Sequence, residues 1–278
     1  MFFIRSFKIM RQVFVRHYKH ITFLSRHAIL DQLAYEIILG LPDNIKTKHK
    51  RIIVYCGVHK SFGLHWLRPG YKIALQCEHF YDENGKAMRT SKSPSAIAKV
   101  AHALSKADIF LDLNGTNRPY YEANIEQETK AQIHFGPYIF PSKVFCHKPY
   151  NQEKLVFFGS QESQRRQKRL AEIKNSIVNI LPQNCYLEPL YKEINVSSGV
   201  LNLHFEEGVY SEIPRLLSAY ICGKVLYSEP LAAPFISGQH YIPLGSKVTF
   251  NTEEIYTNIS QTFVQNFSFS QFLTEQAV

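Results

Sequence analysis

Long apolar runs are missing from this 278-residue chain: none approaches the ~20 residues a membrane-spanning helix needs, and the longest are broken by Arg, His or Pro. The chain is therefore not expected to span a bilayer. CxxC spacing is also missing. The five cysteines, Cys56, Cys77, Cys146, Cys185 and Cys222, are an odd number at wide intervals, which argues against zinc or redox motifs and for reduced thiols in a cytosolic protein. Neither HExxH nor another short metal-ligand pattern occurs, so no bound metal is expected. Glycine and proline number only 13 each, and with 45% hydrophobic and 20% charged residues the composition is that of a folded chain. Acidic residues are absent before Asp31, whereas Arg5, Lys8, Arg11, Arg16, Lys19 and Arg26 all precede it. This stretch lacks the apolar core and cleavage site of a secretory signal. With Phe2, Phe3, Ile4 and Phe7 among its charges, Met1 to Arg26 reads either as a basic amphipathic segment lying on anionic lipid or as a first strand and loop.

What is present is a net charge of +9, pointing to an acidic partner: a phosphorylated substrate, nucleic acid or an anionic membrane surface. It is accompanied by a strand–helix alternation. Ile29, Leu33, Ile37 and Ile38 have helical spacing, ended by Gly40 and Pro42. Residues 51 to 55 and 72 to 76 read as buried strands, Ser93-Pro94 opens a helix, and Asp108 to Leu113 is a strand stopped by Asn114-Gly115. A plain Asn-Gly turn is expected there. A helix is expected around 119 to 130 and an apolar run at 131 to 135. Residues 136 to 152, with Pro137, Pro141 and Pro149, read as an interdomain connection. The alternation then resumes: strand 155 to 158, a charged helix from about 162 to 180, a short strand near 185 to 188, strand 199 to 204, a helix from about 211 to 222, and strand 224 to 228. This pattern predicts an α/β fold of two Rossmann-like domains facing across a cleft, 1–150 and 151–278.

The chemistry concentrates between Val200 and Glu229. A helix starting near Ser211, with Pro214 in its first turn, offers backbone N–H groups and a positive dipole end to a diphosphate. Arg215 lies one turn in, His204 stands at a strand's carboxyl end, and Glu212 or Glu229 can accept from hydroxyls. Glu212 and Arg215 are equally compatible with a surface i,i+3 pair, and His204 with a satisfied buried histidine. Upstream, Gly159-Ser160 follows a strand and Arg165 and Arg166 lie near a helix start; with Lys168 and Arg169 they also suit a solvated basic face. In the first half, Glu78 and His79 follow a strand, where a base for an acceptor hydroxyl belongs.

These segments, Leu155-Val-Phe-Phe-Gly-Ser, Arg165-Arg166 and Val200 to Glu229, resemble the nucleotide-sugar-binding domain of GT-B-fold glycosyltransferases. The likeness is particularly to small bacterial surface- or capsular-polysaccharide and spore-maturation-type (CgeB-like) enzymes, over about residues 151 to 232. The resemblance implies a metal-independent transferase with no cofactor, using a nucleotide-sugar as co-substrate. It implies donor binding by Gly159, Ser160, Arg165, His204, Glu212, Arg215 and Glu229, and catalysis by Glu78 and His79, since Gln76-Cys-Glu-His79 is similar to a Glu-bearing strand end in the relatives. The acceptor would be a glycan or lipid-linked molecule, reached in the cytoplasm or at the inner membrane face. One position departs: relatives often hold the nucleotide ribose with a Glu about five residues before the helix-terminal Gly, and this chain has Ser218 before Gly223. A noncatalytic nucleotide-sugar or polyanion-binding protein is the alternative. Nucleic acid is not favoured, for no RRM, KH or zinc-finger signature occurs.

Overall fold

The structure, a computed structural model, describes residues 12–124, 129–150, 152–173 and 177–276. The basic N-terminal segment lies outside these residues as far as Arg11. The part that follows is an antiparallel hairpin of β1 (Phe14–Tyr18) and β2 (Ile21–Ser25), turned at Lys19, whose φ is 53°.

After it come α1 (Ala28–Gly40), β3 (Ile52–Cys56), β4 (Tyr71–Gln76), α2 (Pro94–Lys106), β5 (Ile109–Asp112), α3 (Arg118–Asn124) and β6 (Gln132–Phe135). The six strands form one sheet in sequence order, parallel from β2 onward. The central strands are continuous apolar runs because both sheet faces are covered. Ile52, Val54 and Cys56 pack with Leu30, Leu33 and Ile37 of α1, while Ile53 and Tyr55 pack on the other face with Val100, Ala103 and Leu104 of α2. Ser93 caps α2 by accepting from the Ala96 N–H, and Pro94 occupies its first turn.

A second sheet follows from β7 (Leu155–Phe157), α4 (Gln164–Glu172), β8 (Val178–Ile180), α5 (Glu188–Val196), β9 (Gly199–Asn202), α6 (Ile213–Ile221), β10 (Leu226–Ser228) and β11 (Ile242–Pro243). Its five parallel strands run β11-β10-β9-β7-β8. The chain steps outward from β7 to β8 and returns to β9 on the other side, so the direction of winding reverses between β7 and β9. A crevice opens at the carboxyl ends of strands at such a point. The fold is therefore α/β with two parallel-stranded sheets, as the strand–helix alternation predicts.

Local assignments differ in the second half. The charged helix expected over 162 to 180 ends at Glu172, residues Val178–Ile180 form the edge strand β8 beside β7, and 185 to 187 are a loop leading into α5 rather than a strand. Packing explains this. In α4 only Arg166 and Leu170 are buried, so the helix has little apolar face to extend, whereas Leu155, Val156 and Phe157 of β7 pair with Val178 to Ile180. The helix expected over 119 to 130 is found over Arg118–Asn124, residues 125 to 128 lie outside the described residues, and 129 to 130 are not helical.

Two last helices, α7 (Thr252–Ile259) and α8 (Phe269–Gln276), complete the chain. The second of these returns to the first sheet. The Phe269 ring lies 5.9 Å from Phe23, and the Phe272 ring 5.6 Å from His134. Backbone bonds secure the return: Phe269 N–H donates to Phe140 O, and Phe140 N–H to Phe267 O. Among the described residues, no helix is long and apolar enough to cross a membrane.

Candidate functional site

A cleft of about 500 Å³ lies between the carboxyl ends of the two sheets, lined by residues after β3 and β4 on one side and after β7 and β9 on the other. Its first wall is the loop Cys77 to Phe80, and a buried polar brace fixes that loop. Asn117 donates from Nδ2 to Glu78 O at 2.8 Å and accepts at Oδ1 from Phe80 N–H at 2.6 Å, while Asn114 donates to Cys77 O at 3.2 Å. Asp112 accepts in turn from Asn117 at 2.9 Å and from Tyr121 Oη at 2.6 Å. The expected plain Asn-Gly turn is thus a short 3₁₀ turn, Gly115–Asn117, and its Asn117 together with Asn114 ahead of it holds the site loop. Burial pushes the Asp112 carboxyl up to about 7, against the pull of the hydrogen bonds from Tyr121, Asn117 and Asn114.

The brace presents Glu78 and His79 differently. Glu78 stands open to the cleft with its side chain 47% exposed, and His59 Nε2 lies 3.4 Å from its carboxylate. Burial lowers His59 to about 4, so it is a neutral neighbour at pH 7 despite Glu78's opposing charge. His79 is likewise neutral, brought down to about 4 by burial, and its ring packs 4.7 Å from Tyr210 across the cleft.

The second wall is built around three charges, the buried Arg166 and Arg215 and the half-buried Glu212. α6 begins without a side-chain cap and with Pro214 in its first turn. Its Arg215 donates to Asn202 Oδ1 at the end of β9 and, from Nη1, to Glu212 at 2.7 Å. Arg166 reaches the same carboxylate from α4 at 2.8 Å, and also donates to Leu203 O at 2.8 Å and Ser160 O at 2.9 Å. Burial acts against the Glu212 charge, but Arg215 and Arg166 hold its pKa below the ordinary carboxylate value. Burial lowers Arg215 to about 10, leaving it charged at pH 7, and its Nε has no partner. Gly159, at φ 117°, makes room for this arrangement: a Cβ there would lie 2.8 Å from Arg215 Nη2.

Of the residues expected from sequence, Glu78, His79, Gly159, Ser160, Glu212 and Arg215 line the cleft. Arg165, His204 and Glu229 do not. Arg165 donates to both oxygens of Glu229 at 2.9 and 2.6 Å, Glu229 also accepts from the His204 N–H at 2.7 Å, and the His204 ring lies 2.8 Å from Pro230 O and packs against Tyr210. They form a clasp behind the wall. Helix phase decides which arginine faces in. With Ser163 capping α4, the third residue after the cap, Arg166, turns toward β9 while Arg165 points along the sheet edge. Spacing from a capping serine was the available signal. Tyr210 and Glu36 also border the cleft and carry no sequence motif.

Glu36, on α1, is 1% exposed. Its Oε1 accepts from Ser218 at 2.6 Å, Gln32 at 3.0 Å and Tyr191 at 3.1 Å, joining α1 to α6 and α5. Burial raises its pKa from 4.5 to about 7, opposed by those three donors. The unfolded chain loses this proton near 4.5, so the folded state is favoured below that pH and loses the advantage as pH rises to about 7, by about 3 kcal/mol. Glu36→Gln removes this slope. The melting temperature of the wild type should fall relative to that of Glu36→Gln between pH 5 and pH 8, with Asp112 contributing equally to both; parallel melting profiles would show an ordinary carboxylate.

Among the described residues, no group of three or more His, Cys, Asp or Glu side chains is placed to hold a metal ion.

No protein-family model and no curated protein matches this chain. Solved structures resemble it at low identity, and three of them follow. TarM aligns with 88% of this chain over 55% of its own length, at 14% identity and a TM-score of 0.44; the chain thus spans little more than half of TarM. Sucrose-phosphate synthase from Thermosynechococcus elongatus aligns over 81% and 67% of the two chains, at 9% identity and a TM-score of 0.42. Anabaena HepE, in complex with UDP and glucose, aligns over 90% and 76%, at 9% identity and a TM-score of 0.43.

Proposed function

We propose that this chain is a glycosyltransferase of the GT-B type, moving a sugar from a nucleotide-diphosphate donor to a hydroxyl of a surface-glycan or lipid-linked acceptor, without a metal ion. The observation that carries this reading is the Arg166–Glu212–Arg215 cluster at the start of α6, beside the Gly159–Ser160 backbone and facing Glu78. A departing diphosphate needs positive groups already in place, because in a site shielded from water such groups stabilise developing charge without reorganising. Glu212 holds both guanidiniums rigid, and the cluster keeps one net positive charge. The uncapped turn of α6 adds its dipole. On the opposite wall Glu78 takes the acceptor proton as the acceptor oxygen bonds to the anomeric carbon and the bond to the diphosphate breaks.

In this reading residues 151–278 hold the donor and residues 1–150 the acceptor, in the cytoplasm at the inner membrane face. The likeness to spore-maturation-type enzymes rests on the Val200 to Glu229 motif. A thermal-shift screen with UDP, GDP, CDP, dTDP and the corresponding sugars tests it. One nucleotide family should raise the melting temperature, by about 2.7 kcal/mol of stabilisation at a hundredfold excess over Kd. Arg215→Ala, checked for folding by circular dichroism, should abolish the shift. A folded wild type that no nucleotide stabilises at millimolar concentration would rule the reading out.

A further inference from the structure

One oxygen in the cleft floor is left without a partner by everything described so far. Glu36 Oε1 is saturated by Ser218, Gln32 and Tyr191, whereas Oε2 is buried and takes no hydrogen bond. A buried carboxylate oxygen without a donor is costly, and native structures seldom keep one without a use. Glu36, Gln32 and Ser218 all border the cleft, with Leu33 and Pro214 beside them. These five residues bring no cation. The arginines lie at the other end, since Ser218 is three residues beyond Arg215 on α6, about 4.5 Å along the helix axis. The cleft is thus polarised along α6, positive at the helix start and hydrogen-bond accepting one turn in.

We infer that Glu36 Oε2 is a binding group for a ligand hydroxyl, contributed by the first half of the chain, so that one ligand engages Arg215 through an anionic group and α1 through a neutral polyol. The inference rests on the nucleotide-sugar reading and names a further subsite within it. A pentose of the nucleotide and a hexose of the sugar offer the same chemistry. The groups facing Glu36 leave the acceptor role to it: Gln32 on α1, Tyr191 on α5, and Ser218 and Cys222 on α6 bring no positive charge, and the cations Lys148 and Lys224 act on Cys222. A hydroxyl donating to Oε2 favours the ionised carboxyl, and burial holds this carboxyl near 7, so ligand binding near pH 7 releases a fraction of a proton.

The experiment is isothermal titration of the wild type with UDP and GDP, their 2′,3′-dideoxy counterparts, and UDP- and GDP-sugars, in buffers of differing ionisation enthalpy at pH 7. Loss of the engaged hydroxyl should weaken wild-type binding about tenfold or more, with proton release on binding of the intact ligand. Glu36→Gln should release no proton and lose the discrimination, and Ser218→Ala serves as a second variant. Sensitivity to the ribose hydroxyls assigns the subsite to the nucleotide; a Glu36-dependent gain on adding the hexose assigns it to the sugar. Nucleotide binding that depends on Arg215 but shows neither hydroxyl discrimination nor proton release would overturn this inference and leave the nucleotide reading standing. Absence of binding by every nucleotide would overturn both.

Discussion

On the proposed transferase reading, Glu78→Gln is expected to lower the rate of sugar transfer by about 10²- to 10⁴-fold, the range for a positioned general base, while nucleotide affinity and melting temperature stay close to wild type. The separation follows from where the residue stands. Its carboxylate is half exposed in the cleft, so it carries little of the fold, and its backbone is held by Asn117 whatever the side chain. His79, packed against Tyr210 and brought down to about 4 by burial, is only a weak base. His59 lies within 3.4 Å of Glu78 but is itself uncharged. Single-turnover transfer together with nucleotide titration checks this. Transfer at the wild-type rate would remove Glu78 as the base, and an equal loss in nucleotide affinity would reassign it to donor binding.

Arg166→Ala should cost about 1 to 3 kcal/mol of stability, because it leaves buried carbonyl oxygens without their donor and Glu212 with one guanidinium in place of two. The guanidinium is 4% exposed and serves three acceptors on two segments, Leu203 O after β9, Ser160 O after β7 and Glu212 ahead of α6. Without it Glu212 keeps only Arg215, and two carbonyls lose their donor. Lys168→Ala, two residues along on the exposed face of α4, should change stability by no more than about 0.5 kcal/mol. Urea denaturation of the two variants gives the comparison, and similar midpoints would mean that the arginine is only a surface charge.

The same pair marks what sequence reasoning reaches. The alternation of short apolar runs with helical spacing, punctuated by Gly57, Pro94 and Asn114-Gly115, was sufficient for the α/β layout, because buried parallel strands leave a plain signature. β8 was read as helix, since three residues cannot show a period and the charged stretch before them dominates. Within Arg165-Arg166 composition cannot choose; the phase of α4 can, and it sends one arginine to the cleft and the other to Glu229. Net charge was a poor guide to the place: in the cleft lining, Lys60, Arg89, Arg166 and Arg215 meet the carboxylates Glu36, Glu78, Glu162, Glu206 and Glu212. Ser218 shows the largest gap. Read along the chain, a carboxylate is missing there; in space one arrives from Glu36, 182 residues earlier. Pairings across that distance leave no local pattern.

The return of α8 to the first sheet has a mechanical consequence. The chain passes between the two sheets twice, once after Gly136 and again just before Phe269, and the crossings are tied together by the Phe140 backbone bonds to Phe267 and Phe269. Two bodies joined at a single point can swivel about three axes. Joined along a line, they keep one, the axis of the seam that Phe140 and Phe269 define. Further bonds cross between the halves away from that seam, from Ser218 and Tyr191 to Glu36 and from Glu83 N–H to Val209 O, so that Glu78 and Arg215 are held in register by more than the seam alone.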